Sequence, residues 1–187
     1  MKLLSKPFYI TLLILGVILA GCPYEGDVEI STYEEASKVD KKLYDLWVSF
    51  NEEGGKQELL ITKLEKAVLK VNHKVFNKKN QLESSEKYRV YSCTVGDYEI
   101  FNIEKEDGKY LYCKYGWTGK NEIYVQYING KFMENNFKTD SVTTKGLREF
   151  ISDNVNKEEL YGEKVEFYRK GSLEYEKVRV FMKKSGF

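Results

Sequence analysis

The chain has 187 residues, with 30 Lys and Arg against 29 Asp and Glu, a formal charge of +1. That balance provides no field to steer a nucleic acid, and the sequence gathers no obvious basic patch. A single His, His73, leaves little room for His-based nucleophilic or zinc chemistry, and the length suits one hydrophobic core.

The chain opens with Lys2 and Lys6, followed by an apolar run from Phe8 to Ala20. These thirteen residues fall short of the roughly 20 that a spanning helix needs. Small residues close the run, as in a cleavable signal. The segment Leu19-Ala20-Gly21-Cys22 resembles the bacterial lipoprotein box. That resemblance implies cleavage between Gly21 and Cys22 and a palmitate-type diacyl anchor on the Cys22 sulfur. It also implies a membrane-held protein of the cell envelope, on the non-cytoplasmic side: at the outer membrane if the organism has one, otherwise on the outer face of the cell membrane. Two acyl chains suffice for stable anchoring, whereas one binds marginally. Residues 1–21 then form the signal peptide, 22–30 a short polar tether reaching at most about 30 Å, and 31–187 one domain.

Ser31 or Thr32 followed by Glu34 or Glu35 matches a capping box. Apolar residues then recur at Ala36, Val39, Leu43, Leu46, Trp47 and Phe50, which predicts a first helix stopped by Gly54-Gly55. Leu60, Leu64, Ala67, Val68, Val71 and Val75 predict a second, fading in the polar stretch from Asn77 to Glu86.

From Lys87 the period shortens to two. Strands are predicted over 88–94, 98–104, 110–116 and 122–128, with a weaker continuation over 131–137. Gly96-Asp97, Asp107-Gly108, residues 116–119 and Asn129-Gly130 provide the turns. A third helix is predicted from Thr144 to Val155, and a closing hairpin over 164–168 and 173–183 turns at Lys170-Gly171. The expected class is α+β: two N-terminal helices, an antiparallel meander of four to five strands, a further helix and a C-terminal β-hairpin.

Beyond Cys22, the chain holds Cys93 and Cys113. An exported chain with two cysteines tends to bridge them. In a simple meander, however, they flank the strand between them at about 10 Å, beyond the roughly 7 Å Cα separation that a disulfide allows. A three-residue turn at 106–108 would put them on opposite faces. Bridge and separate buried thiols both stand as readings of the sequence. Neither Cys sits in a CxxC motif, no metal-ligand spacing appears, and no pair of carboxylates stands out for glycoside chemistry. The expectation is a protein that is not an enzyme and carries no cofactor or metal.

Tyr110, Tyr112, Tyr115 and Trp117 cluster at a strand end leading into a Gly-bounded loop. Such rigid aromatics suit the grip on a protein or glycan partner in the envelope. Tyr91-Ser92-Cys93-Thr94-Val95-Gly96 resembles the Tyr-x-Cys-x-x-Gly start of membrane-bound inhibitors of C-type lysozyme, small lipoproteins built mostly as a β-barrel. The leading expectation is a lipid-anchored, non-enzymatic protein that binds another envelope component or an external protein. The alternative, implied by the second resemblance, is an inhibitor or immunity lipoprotein that neutralises a hydrolase or toxin.

Overall fold

The computed structural model describes residues 22–185. It contains a short strand β1 (Glu25–Gly26) and eight longer ones: β2 (Asp45–Phe50), β3 (Lys56–Lys63), β4 (Leu69–Phe76), β5 (Leu82–Val95), β6 (Tyr98–Glu104), β7 (Tyr110–Gly119), β8 (Glu122–Tyr127) and β9 (Val165–Arg169). Each of β2 to β9 pairs antiparallel with its neighbour in sequence, and β9 pairs back onto β2, closing an eight-stranded barrel. Helices α1 (Gly130–Asn136) and α2 (Thr144–Asn154) lie in the crossover from β8 to β9, and α3 (Leu173–Lys184) follows β9.

The hairpins are made by local turn chemistry. Asn51 Oδ1 accepts from the amides of Glu53 and Gly55, and Asn77 Oδ1 accepts from those of Lys79 and Gln81. Each Asn side chain thus substitutes for a backbone turn at one end of the barrel. Gly96, at φ 58°, opens the two-residue turn that sets Val95 opposite Tyr98. This is the position where a two-residue hairpin most needs glycine.

Closure of the barrel overturns the α+β expectation. The two predicted N-terminal helices are instead β2, β3 and β4, preceded by 3-10 turns at Tyr33–Glu35 and Lys41–Leu43. Val71 and Val75 lie four residues apart, a spacing that satisfies period 2 as well as period 3.6. The strand reading wins because Lys70, Asn72 and Lys74 interleave with Leu69, Val71, His73 and Val75, giving one inward and one outward row. Asn51–Gly55 is therefore a hairpin turn, not a helix stop.

Two further elements differ. The weak strand expected over 131–137 is α1, whose first turn is capped by Asn129 Oδ1 accepting from Phe132 N. The second arm of the expected C-terminal hairpin is α3. Ser172 caps it through Tyr175 N, Glu174 and Glu176 sit in its first turn, and Lys183 and Lys184 sit in its last, all favourable to the helix dipole. β9 finds its partners in β2 and β8 instead.

Two apolar cores result, one on each side of the barrel wall. The lumen is filled from every strand, by Trp47, Ile61, Val71, Val90, Ile103, Cys113, Val125 and Phe167 among others. Outside, Cys93, Val95, Ile100 and Tyr112 on β5, β6 and β7 pack against Met133 of α1, Leu147 and Ile151 of α2, and Ile30. Burial on both faces explains why apolar residues adjoin at Val90-Tyr91, Ile100-Phe101 and Tyr110 to Cys113.

The segment 22–30 is bound to the barrel wall along most of its length. Glu25 and Gly26 pair with Leu111 and Tyr110 beyond the point where β8 leaves β7. Tyr24 stacks on Tyr112 at 5.7 Å, Lys105 and Lys109 form ion pairs with Glu25, and Ile30 is fully buried. Cys22 itself is exposed, its carbonyl accepting from Gly130 N at 2.8 Å.

Candidate functional site: the barrel lumen

Inward-facing residues come from alternate positions of each strand. The register aligns Trp47, Leu59, His73 and Glu86 across β2 to β5, and Phe101, Cys113 and Tyr127 across β6 to β8. Between these rows remains a cavity of about 60 Å³. Its walls are mainly Leu, Ile, Val and aromatic side chains, with His73, Cys113, Tyr88, Tyr115 and Tyr127 as the polar groups.

The two ends differ. At the N-terminal end of β2 the 3-10 turn Lys41–Leu43 tucks Leu43, 2% exposed, into the lumen. Trp47 Nε1 donates to the Leu43 carbonyl at 2.8 Å, fixing that plug. At the other end β5 runs past the end of β6, whose pairing begins only at Arg89 and Glu104. Glu86 and Tyr88 therefore stand on a rim. The Tyr88 hydroxyl donates to Glu86, and His73 Nε2 lies 3.1 Å from Gln57 Oε1.

Electrostatics argues against nucleophilic chemistry in this lumen. Cys113 and His73 line the same cavity, but full burial pushes the thiol up to about 12. Burial also lowers His73, against a smaller opposing pull from Glu86. Both shifts favour the neutral pair over the thiolate–imidazolium pair that a cysteine nucleophile requires. Among the described residues no cluster of three His, Cys, Asp or Glu side chains is placed to hold a metal.

The residues singled out in the sequence are dispersed. Strand alternation sends Tyr110 and Tyr112 outward and Tyr115 and Trp117 into the lumen. Tyr112 is fully buried, with its hydroxyl donating to the Val28 carbonyl. Tyr115 stacks on Phe101 at 4.6 Å, and Trp117 meets Trp47 edge-on at 5.7 Å. The four do not form one exposed surface. Cys93 lies in the outer core and Cys113 in the lumen, both as free thiols. The turn at 106–108, with Lys105 N bonded to the Lys109 carbonyl, sets Cys113 opposite Phe101 and so puts the two cysteines on opposite faces of the wall. The lumen-lining aliphatics of β3 and β4 were missed as a site, although the alternation over 69–75 carries their signal.

No protein-family model matches the chain, and comparison with curated proteins and with solved structures likewise finds no match. Among the described residues no helix is long and apolar enough to cross a membrane.

Proposed function

We propose that this chain is a non-enzymatic binding protein of a bacterial envelope, held at its membrane by lipid on Cys22, and that its lumen takes one slim, mainly apolar molecule. The observation that carries this reading is an apolar cavity with only a few polar side chains in its walls, the composition expected of a small-molecule site. Eight strands enclose a space just wide enough for side chains or one small ligand. At about 60 Å³ the cavity is far below the roughly 300–1,000 Å³ of a drug-sized site, so the ligand is slim, or enters as the half-buried Tyr88 and Tyr115 swing aside. Lipobox residues Leu19 to Cys22 support the anchor.

The test is titration with 1,6-diphenyl-1,3,5-hexatriene, an uncharged, rod-shaped probe whose fluorescence rises in apolar sites. Saturable binding that Val125→Phe abolishes, with the circular dichroism spectrum kept, supports the lumen as the site. Absence of saturable binding, or binding indifferent to Val125→Phe, overturns it.

A second reading has one observation in its favour. Inhibitors of C-type lysozyme, which the segment 91–96 resembles, are small β-barrels, and the described domain is a barrel too. An inhibitor or immunity lipoprotein would use its surface rather than its lumen. Slowed lysis of a peptidoglycan suspension by lysozyme in the presence of the purified domain would favour this reading, and an unchanged rate would remove it for lysozyme.

A further inference from the structure

We propose that α3 is a membrane-surface helix that lays one stripe of side chains on anionic lipid. Its inner face is settled: Tyr175 stacks on Phe50 at 5.9 Å, Glu174 accepts from Asn121 Nδ2 at 3.2 Å, and Val178 and Met182 are half-buried. Its outer face carries Leu173, Lys177, Val180, Phe181 and Lys184, at the spacing that keeps side chains on one side of a helix. Leu173 and Phe181 are each 66% exposed and Val180 44%.

The occupant is argued from charge and position. The stripe alternates apolar side chains with two lysines and holds no acid; of the two acids that flank it, Glu176 is bonded by Arg179 at 2.8 Å and Glu174 accepts from Asn121 at 3.2 Å. A protein partner's apolar groove would bury Lys177 and Lys184 unpaired. A lipid surface instead takes Leu173, Val180 and Phe181 below the headgroups while the lysines reach anionic phosphates. The near-neutral charge of the whole chain conceals this local excess. Position agrees. Asn121, which holds the start of α3, precedes β8, and Gly130, which holds Cys22, follows it. Helix and anchor therefore meet opposite ends of one strand about 20 Å long. This placement rests on the proposed anchor, whereas the lipid affinity of the stripe does not.

The experiment uses unlipidated protein of residues 22–187, which contains every described element of the fold, co-sedimented with vesicles. Binding is expected to phosphatidylglycerol–phosphatidylcholine vesicles and not to phosphatidylcholine alone, with release at about 0.5 M salt. Lys177→Glu with Lys184→Glu is expected to weaken it by about tenfold or more, and Leu173→Ser with Phe181→Ser by a similar factor. All four side chains are exposed, so circular dichroism should not change. Equal partition onto both vesicle types, or variants that bind like the parent, would overturn the proposal. So would concentration-dependent dimerisation, lost in the same variants and without vesicle binding, since it would assign the stripe to a second copy. Failure here leaves the anchor to its own test, the intact mass of membrane-extracted protein.

Discussion

The guanidinium of Arg169 lies 4.7 Å from the Trp47 ring while its two Nη atoms bond Asp45 Oδ2 at 2.6 Å and the Lys42 carbonyl at 2.8 Å. One side chain thus joins β9, β2 and the turn that plugs the lumen. The joint matters because the β2–β9 seam has only two residue pairs, Trp47 with Arg169 and Val48 with Tyr168.

Arg169→Ala is therefore expected to cost about 2–3 kcal/mol, from the lost cation–π contact and the charge-assisted bonds. Arg169→Lys is expected to recover less than half of that, since an ammonium cannot stack and bond two acceptors together. Urea unfolding followed by tryptophan fluorescence reads both. A Lys variant as stable as the parent would mean that backbone pairing alone closes the barrel.

Cys93 and Cys113 are expected to remain two thiols. The barrel wall lies between them, and both are 2% exposed or less. Maleimide should label neither in the folded protein within minutes, and both on unfolding without any reductant. Labelling only after reduction would mean a bridge, with β6 no longer lying between β5 and β7. In the intact-mass spectrum of membrane-extracted protein, a mass lacking residues 1–21 with acyl chains on Cys22 would support the anchor.

Asn102 is the buried residue that fixes the N-terminal segment. Its Oδ1 accepts from Ile30 N at 2.7 Å and its Nδ2 donates to Ser31 Oγ at 3.4 Å, with Asn102, Ile30 and Ser31 all fully buried. Asn102→Ala leaves the Ile30 amide without its acceptor and is expected to cost about 2 kcal/mol. Limited proteolysis should then cut within residues 27–37 before the barrel strands. Unchanged protection would show that the pairing of Glu25 and Gly26 suffices to hold the segment.

Strands from residue 88 onward were legible because turn chemistry punctuates them at Gly96-Asp97 and Asp107-Gly108, whereas the turn expected over 116–119 lies within β7 and the chain reverses at residues 120–121. Nothing comparable guides the reader through β2, where Trp47 faces the lumen and the fully covered Val48 faces outward, so apolar residues adjoin instead of alternating. Closure was invisible for a different reason. It depends on β9 meeting β2 more than 110 residues away, and the two seam pairs carry no local signal. The lumen was missed with it, since residues on eight strands become one site only when the barrel closes.

His73 gives the barrel a pH dependence whose sign follows from its burial. In the lumen it faces Gln57, Tyr88 and Glu86, and burial holds its pKa below the ordinary imidazole value of about 6.5 although Glu86 pulls the other way. Unfolding returns the ring to water, so between the two pKa values the unfolded chain binds the extra proton. The resulting stability is fully present above about pH 6.5 and declines as pH falls from there toward the folded-state value. The urea midpoint is therefore expected to drop on going from pH 7.5 to pH 5.5. In His73→Gln, which keeps a polar side chain opposite Gln57, that drop should shrink. If the variant and the parent lose stability in parallel over this interval, the carboxylates rather than His73 set the acid limit of the fold.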